Sequence, residues 1–381
     1  MSLPFNNMEV FISAPVPPCQ DDEYEEAALG VANIGENFSK ITINRPKVGD
    51  NDVKFDVKFC GMCHTDVHMV CNDFASTMYP IVPGHELVGV VSEVGSNVTR
   101  VKVGSLVAVG CTIDSCMECD MCDAGEENYC RKGGHTHTYN SKKTHGHIGG
   151  NQETQNFGGY SKSEVVHERF IVTLPDNTPL AKAAPLVCAG ITMWDPLRHW
   201  GATKGDKKMK IGVAGIGGLG TMGIKIAAAL GHEVVAISRN DKKKDIAEEK
   251  GAHHYIDMSD TTSINEHNDS MDLILNTVCA PHSVSKYLGL LRTNGTLVQL
   301  GAVATPLDFV NFSLLPQRKS IAGSMVGGLK SLQECVDFCV EKEIYPDIEI
   351  IDSGKVDEVY VKLAEGNSSA VRYVLDIDAS L

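Results

Sequence analysis

The chain has 381 residues, 43% of them hydrophobic, and a formal net charge of −15. Single hydrophobic cores stop growing at roughly 250 to 300 residues, so this length implies two domains. The acidic balance repels nucleic-acid phosphates and anionic lipid, no apolar run approaches the roughly 18 residues of a spanning helix, and the opening MSLPFNNMEVFISAP lacks the basic start of a secretory signal. The expectation is a soluble cytoplasmic protein without nucleic-acid or membrane partners. In reducing cytosol, clusters among its 13 cysteines read as metal ligands or catalytic groups rather than disulfides.

Residues 1–26 carry prolines, Cys19 and the acidic run at 21–26, and read as a loosely attached extension. From 27 to 187 the segments are short and valine-rich, as in ELVGVVSEVG and VTRVKVGSLVAVG, with glycines at the turns. That pattern predicts a β-rich catalytic domain.

Within it, CGMCHTDVH at 60–68 is followed by PGHE at 83–86. A catalytic zinc takes three protein ligands and keeps a fourth position open. Cys63 and His85 could supply two, and the candidate third is Cys188 in PLVCAGITMW, which leads into the cofactor fold below. Asp66 is placed to accept the free ring N–H of His85, and Glu86 sets a carboxylate beside the metal. Thr65 and His68, two and five residues past Cys63, suit a hydroxyl and an imidazole handing a proton outward. In the competing reading Asp66 and Thr65 merely cap a helix at DVHMV, and His68 faces solvent.

The stretch IDSCMECDMCDAGEENYC at 113–130 spaces Cys116, Cys119, Cys122 and Cys130 as CxxCxxCx7C. One small loop of this kind wraps four thiolates around zinc and leaves no position for substrate, so the site is structural. A nucleic-acid-binding zinc module is disfavoured by Asp114, Glu118, Asp120, Asp123, Glu126 and Glu127 in the same loop. The next segment, 131–151, contains His135, His137, His145 and His147 and is polar, glycine-rich and aperiodic. It reads as a long surface loop by the active site, with weak metal binding by paired histidines as the alternative.

Residues 188–342 read as a cofactor domain. In KMKIGVAGIGGLGTMGIKIAAALGHEVVAISRN a buried strand at 209–214 precedes Gly215, Gly217, Gly218, Leu219 and Gly220; a helical pattern then runs to Leu230, Gly231 stops it, and a strand follows at 234–238. GxGxxG inside such a βαβ unit lets backbone approach a pyrophosphate at the positive helix N-terminus. Further strands near 254–257, 273–278, 297–301 and 320–324 complete a doubly wound parallel sheet. Where NAD binders place an acid, this chain has Ser238, Arg239 and Asn240, followed by lysines at 242–244, among them Lys243. A hydroxyl and a guanidinium suit a 2′-phosphate, and cations at a helix N-terminus oppose the dipole unless an anion joins them. NADP is therefore favoured over NAD, with a merely solvated lysine face as the rival reading. The tail, 343–381, is expected to return to the first domain.

GMCHTDVH, PGHELVGVV, CxxCxxCx7C, PLVCAGITMW and GIGGLG stand in the order found in zinc-dependent medium-chain alcohol dehydrogenases, and the chain most resembles the cinnamyl alcohol dehydrogenase branch. The resemblance implies an α/β protein with a GroES-like β-rich catalytic domain and a Rossmann cofactor domain, two zinc ions per subunit, NADP and a homodimer. It places the catalytic zinc on Cys63, His85 and Cys188 with Glu86 alongside, the proton relay on Thr65 and His68, and Thr192 against the nicotinamide. It implies hydride exchange between nicotinamide and a small alcohol, primary and aromatic or allylic, with aldehyde reduction the direction NADPH favours. Trp194 stands where the family often has tyrosine, the His-rich loop is longer and more polar than the usual aromatic pocket wall, and Gly104 and Ser105 replace a Gly-Asp turn. Other readings are a zinc-containing binding or sensor protein without turnover, a polyol or secondary alcohol dehydrogenase, and a zinc-free quinone reductase, which would not need Cys63, His85 and Cys188.

Overall fold

A computed structural model of the chain describes residues 15–205, 207–303, 306–366 and 370–381. Most of the expected extension, 1–14, lies outside these. The chain divides into two compact units, one holding residues through Cys188 with Gly328–Val340 and Asp347–Leu381, the other Ala189–Gly327 with Glu341–Pro346. The segment Gly328–Val340, expected in the cofactor domain, thus belongs with the first unit, as does Cys188 itself.

The first unit is built on a sheet ordered Ile348–Ile351, Arg372–Asp376, Asp52–Gly61, Leu87–Val94, Leu106–Val109, Val172–Thr173, with Ser163–His167 also paired to Asp52–Gly61. The central strand DVKFDVKFCG shows why it forms: Val53, Phe55 and Val57 alternate inward, while Asp56 faces solvent and Lys54 lies 4.0 Å over the ring of Tyr24. Near the end of the chain, Arg372–Asp376 runs antiparallel to the end of this strand, with Val374 opposite Gly61.

The boundary drawn at residue 26 does not hold. Glu23–Gly30 is a strand, paired antiparallel with Ser39–Pro46 from Glu23 opposite Pro46 onward. Two of its acids have internal partners: Glu23 accepts from the backbone N–H of Gln20 and Asn151, and Glu26 stands 3.6 Å from the buried Arg45, while Glu25 is exposed. Within a run of carboxylates that looks uniformly solvated, Glu23 and Glu26 turn inward while Asp21, Asp22 and Glu25 stay exposed.

In the second unit six strands, all parallel to their neighbours, are ordered His254–Asp257, Glu233–Ser238, Lys210–Ala214, Met271–Asn276, Leu291–Gln299, Ser320–Gly323. By position in the chain that is 3-2-1-4-5-6, which reverses direction beside the first strand and leaves a crevice at its carboxyl end for ligand. Both faces are covered, and Val213, Ile237, Ile274 and Leu297 are fully buried, as parallel strands require. The fifth strand begins six residues earlier than its apolar stretch suggests, because RTNG reads as a turn; Asn294 takes φ 65° inside the strand while pairing resumes at Thr296. The helices Ala189–His199 and Gly218–Ala229 meet at Gly223, where a Cβ would stand 2.1 Å from Met193 Cε.

Candidate active site and structural metal lobe

Four ligand atoms from Cys63, His85, Glu86 and Cys188 lie within 4.8 Å of one another inside the first unit. Cys63 caps the short helix His64–Val70, His85 and Glu86 immediately precede the strand Leu87–Val94, and Cys188 ends the turn Ala184–Val187. Cys63 Sγ is 3.9 Å from Cys188 Sγ, which is 3.3 Å from His85 Nε2. Thiolate and imidazole at this spacing form a soft, zinc-selective donor set.

Asp66 does two things at once. One carboxylate oxygen accepts the Cys63 backbone N–H at 2.8 Å, and the other faces His85 Nδ1 at 3.1 Å and the Gly84 N–H at 3.2 Å. Capping and orienting, set against each other in the sequence, are therefore both present. A proton held on Nδ1 leaves the Nε2 lone pair aimed at Cys188. Glu86 is fully buried and pairs with Arg372, itself 9% exposed. Burial pushes the Glu86 carboxyl up to about 7 in spite of the opposing pull of the Arg372 guanidinium. Its second oxygen, Oε2, is buried without a protein donor, an orphan that a neighbouring cation would satisfy.

Thr65 Oγ1 lies 3.7 Å from Cys63 Sγ. His68 Nδ1 sits 2.7 Å from Asp73 Oδ2, which leaves Nε2 for exchange. The sequence reading missed Asp73, and likewise Arg372, Cys111, which hydrogen-bonds Cys188, and Tyr139, whose ring stacks on His85 at 6.0 Å and 26°. Only Asp73 carried a local signal, as an acid five residues past His68, just beyond the helix His64–Val70.

The second cluster is the loop of Cys116, Cys119, Cys122 and Cys130, whose four sulfurs also fall within 4.8 Å of each other. Backbone N–H groups point at the sulfurs: Cys116 N to Cys130 Sγ and Arg131 N to Cys119 Sγ, both at 3.5 Å. The Arg131 N–H holds the Cys119 thiol down to about 6, toward the thiolate that binds metal. Met117 turns the loop at φ 57°. Arg169 then clamps it, donating to the carbonyls of Met117 and Cys122 and to Glu127 Oε1. Of the six acids that disfavoured nucleic acid, Glu127 is taken by this clamp, Glu118 by Lys132 and Asp120 by Arg131.

In the second unit Gly215 takes φ 89°, and a Cβ on Gly220 would lie 1.9 Å from Gly215 O, so the helix beginning at Gly218 is pressed against the strand end. A Cβ on Gly217 would meet nothing within 4 Å, which leaves the turn open to a ligand. Leu219 lies in the first turn of that helix, and Thr192 is buried in Ala189–His199. Ser238 ends its strand, and Lys243 caps the helix Lys244–Glu249, with Nζ 2.7 Å from Ile216 O. Burial and the neighbouring Arg239 both lower Lys243, so the two cations press on each other. Neither has an acidic partner among the described residues, which is the setting a phosphate dianion relieves.

Residues 49–176 match the alcohol dehydrogenase GroES-like domain, and residues 218–341 match zinc-binding dehydrogenase. The chain is 44% identical to NADP-dependent alcohol dehydrogenase C 1 of Mycolicibacterium smegmatis over 93% of this chain and 98% of that one. It is 42% identical to aldehyde reductase YahK of Escherichia coli, covering 92% and 97%. The structure matches that of a cinnamyl alcohol dehydrogenase from Helicobacter pylori complexed with NADP(H), with a TM-score of 0.85 at 34% identity over 94% of this chain and all of the other. The chain belongs to the zinc-binding alcohol dehydrogenases, a family of oxidoreductases. Within that family it falls in the cinnamyl alcohol dehydrogenase-like branch.

Proposed function

We propose that the chain is an NADP(H)-dependent alcohol dehydrogenase acting mainly as an aldehyde reductase, with a catalytic zinc on Cys63, His85 and Cys188 and a structural zinc on Cys116, Cys119, Cys122 and Cys130. The observation that carries this reading is the convergence of Cys63, His85, Glu86 and Cys188 within 4.8 Å, with a carboxylate orienting the histidine. When bound, zinc supplies a Lewis acid for the substrate oxygen and the nicotinamide supplies or accepts hydride.

The chain's residues do the rest. Asp66 keeps the proton on His85 Nδ1, so Nε2 stays a lone-pair donor. Arg372 neutralises Glu86 and keeps a second unpaired charge out of a buried site. Thr65 gives or takes a proton at Oγ1; His68, held by Asp73 and 30% exposed, passes it at Nε2 to water. The open turn at Gly217 lets the first backbone N–H groups of the helix Gly218–Ala229 meet the pyrophosphate, Thr192 packs against the nicotinamide, and Ser238, Arg239 and Lys243 hold the 2′-phosphate.

The direction is reduction, because NADP pools are kept reduced. Substrates are small aldehydes and their primary alcohols. Thirteen cysteines without a disulfide suit a reducing cytoplasm, and no helix among the described residues is long and apolar enough to cross a membrane. The functional form is a homodimer: Ser320–Gly323 is an edge strand, and nearby in the chain Phe309, Val310, Phe312 and Leu315 are 43 to 70% exposed.

The test is a panel of aldehydes with NADPH and NADH in parallel, followed at the nicotinamide absorbance. NADPH should be consumed much faster than NADH. Arg239→Ala should raise the KM for NADPH about 10- to 100-fold, the value of one lost charge-assisted contact, and leave that for NADH nearly unchanged. Turnover that survives both chelation and Cys63→Ser would remove the catalytic zinc from this reading.

A further inference from the structure

Two histidines of the segment HTH, residues 135–137, have no part in the chemistry above. His137 belongs to a two-residue strand, Thr136–His137, paired antiparallel with Thr112–Asp114. Side chains two residues apart on extended backbone share a face. Here they converge: His135 Nε2 stands 3.2 Å from His137 Nδ1, with ring centroids 4.3 Å apart and ring planes at 74°.

That separation matches a chelate. Two nitrogens each about 2.05 Å from a tetrahedral zinc lie about 3.3 Å apart, the edge of the tetrahedron. Both rings are in the metal-binding, neutral form. Burial pushes His135 down to about 4, with the neighbouring His137 as the second cause. The His135 ring donates a hydrogen bond to the backbone of Asn128, the kind of partner that fixes the aim of a metal-binding imidazole. His137 is exposed, so ions in solution can reach the pair.

We propose that His135 and His137 form a third divalent-metal site, a two-histidine chelate open to water, distinct from the catalytic and structural clusters. Its chemistry selects ions that favour imidazole, namely zinc, nickel and copper, over calcium and magnesium. No third His, Cys, Asp or Glu completes a tight ligand group there among the described residues, so the ion exchanges freely where the thiolate-held ions do not. The opposing account is a plain N–H···N bond between two neutral rings, which binds no ion.

The two accounts separate in one titration. Full-length protein carrying both zinc ions is titrated with nickel chloride by calorimetry, and nickel and zinc are counted afterwards by elemental analysis. One nickel should bind per chain with no zinc released. That equivalent should vanish in His135→Gln and in His137→Gln and persist in His145→Gln, which removes a neighbouring histidine of the same loop. Two retained zinc ions and an unchanged far-ultraviolet spectrum show that each variant is folded. No nickel uptake by the parent protein, uptake matched by zinc loss, or uptake undiminished in both variants would each overturn the proposal; so would equal uptake of magnesium.

Discussion

The two thiolate clusters of this chain solve opposite problems. The lobe of Cys116, Cys119, Cys122 and Cys130 draws all its ligands from fifteen consecutive residues, uses one donor type and is tightened by backbone N–H groups. The cluster of Cys63, His85, Glu86 and Cys188 draws on segments up to 125 residues apart, mixes sulfur, nitrogen and oxygen, and depends on Asp66 and Arg372 for alignment. A local loop can saturate an ion and so serves stability. In the distant cluster Glu86 is engaged by Arg372, so Cys63, His85 and Cys188 would leave a fourth coordination position open, as the proposed catalysis needs.

The sharpest way to break the contrast is to remove one sulfur from each. Cys63→Ser should cut turnover more than about 100-fold, beyond the usual cost of losing only a ligand's partner, while thermal unfolding changes little. Cys119→Ser should do the reverse, lowering the melting temperature and shedding one zinc, because binding at a structural site is folding free energy. Calorimetric scans with zinc analysis on both proteins decide it; matching profiles would erase the distinction.

Arg372→Met tests whether alignment of the open cluster is also a stability matter. It strands Glu86 as a fully buried carboxylate and should cost about 3 to 5 kcal/mol in denaturant unfolding. Adding Glu86→Gln should restore most of that. Asp66→Asn should lower activity or catalytic-zinc affinity about 10- to 100-fold, and cobalt substitution should show the altered site in its visible spectrum. The lobe should be untouched in both.

The smallest effect lies in the His-rich loop. The folded protein keeps His135 neutral down to about 4, against an ordinary value of 6.5, so between these the unfolded chain takes the proton first. Stability should therefore fall as pH drops from about 6.5 toward about 4, and His135→Gln should lessen the fall. The charges facing His135 are His137 and His145. Urea midpoints at a few pH values in that window measure it.

Legibility follows the same division. Cysteine spacing encodes the lobe in one line of text, because the loop that binds is the loop that is written. GxGxxG between two strands is likewise local, and the parallel order follows from alternating elements. The ligands of the open cluster could be proposed singly from short motifs. Arg372 could not, since 286 residues separate it from Glu86 and only antiparallel pairing of the tail with the strand ending at Gly61 brings it there. Cys111, between the strands Leu106–Val109 and Thr112–Asp114, belongs to no metal-ligand spacing in the sequence and meets Cys188 only in the fold. The acidic run at 21–26 misled because composition says nothing about which donors the fold will bring to it.

The double duty of Asp66 has a mechanical result. One rigid carboxylate is tied at one end to the backbone of Cys63 and at the other to the ring of His85 and the amide of Gly84. Thermal displacement of either loop is transmitted through three atoms to its counterpart, so sulfur and imidazole drift in step and the gap between them is steadier than either position alone. Precision of this kind comes from a shared tether rather than from stiffness of the surrounding chain.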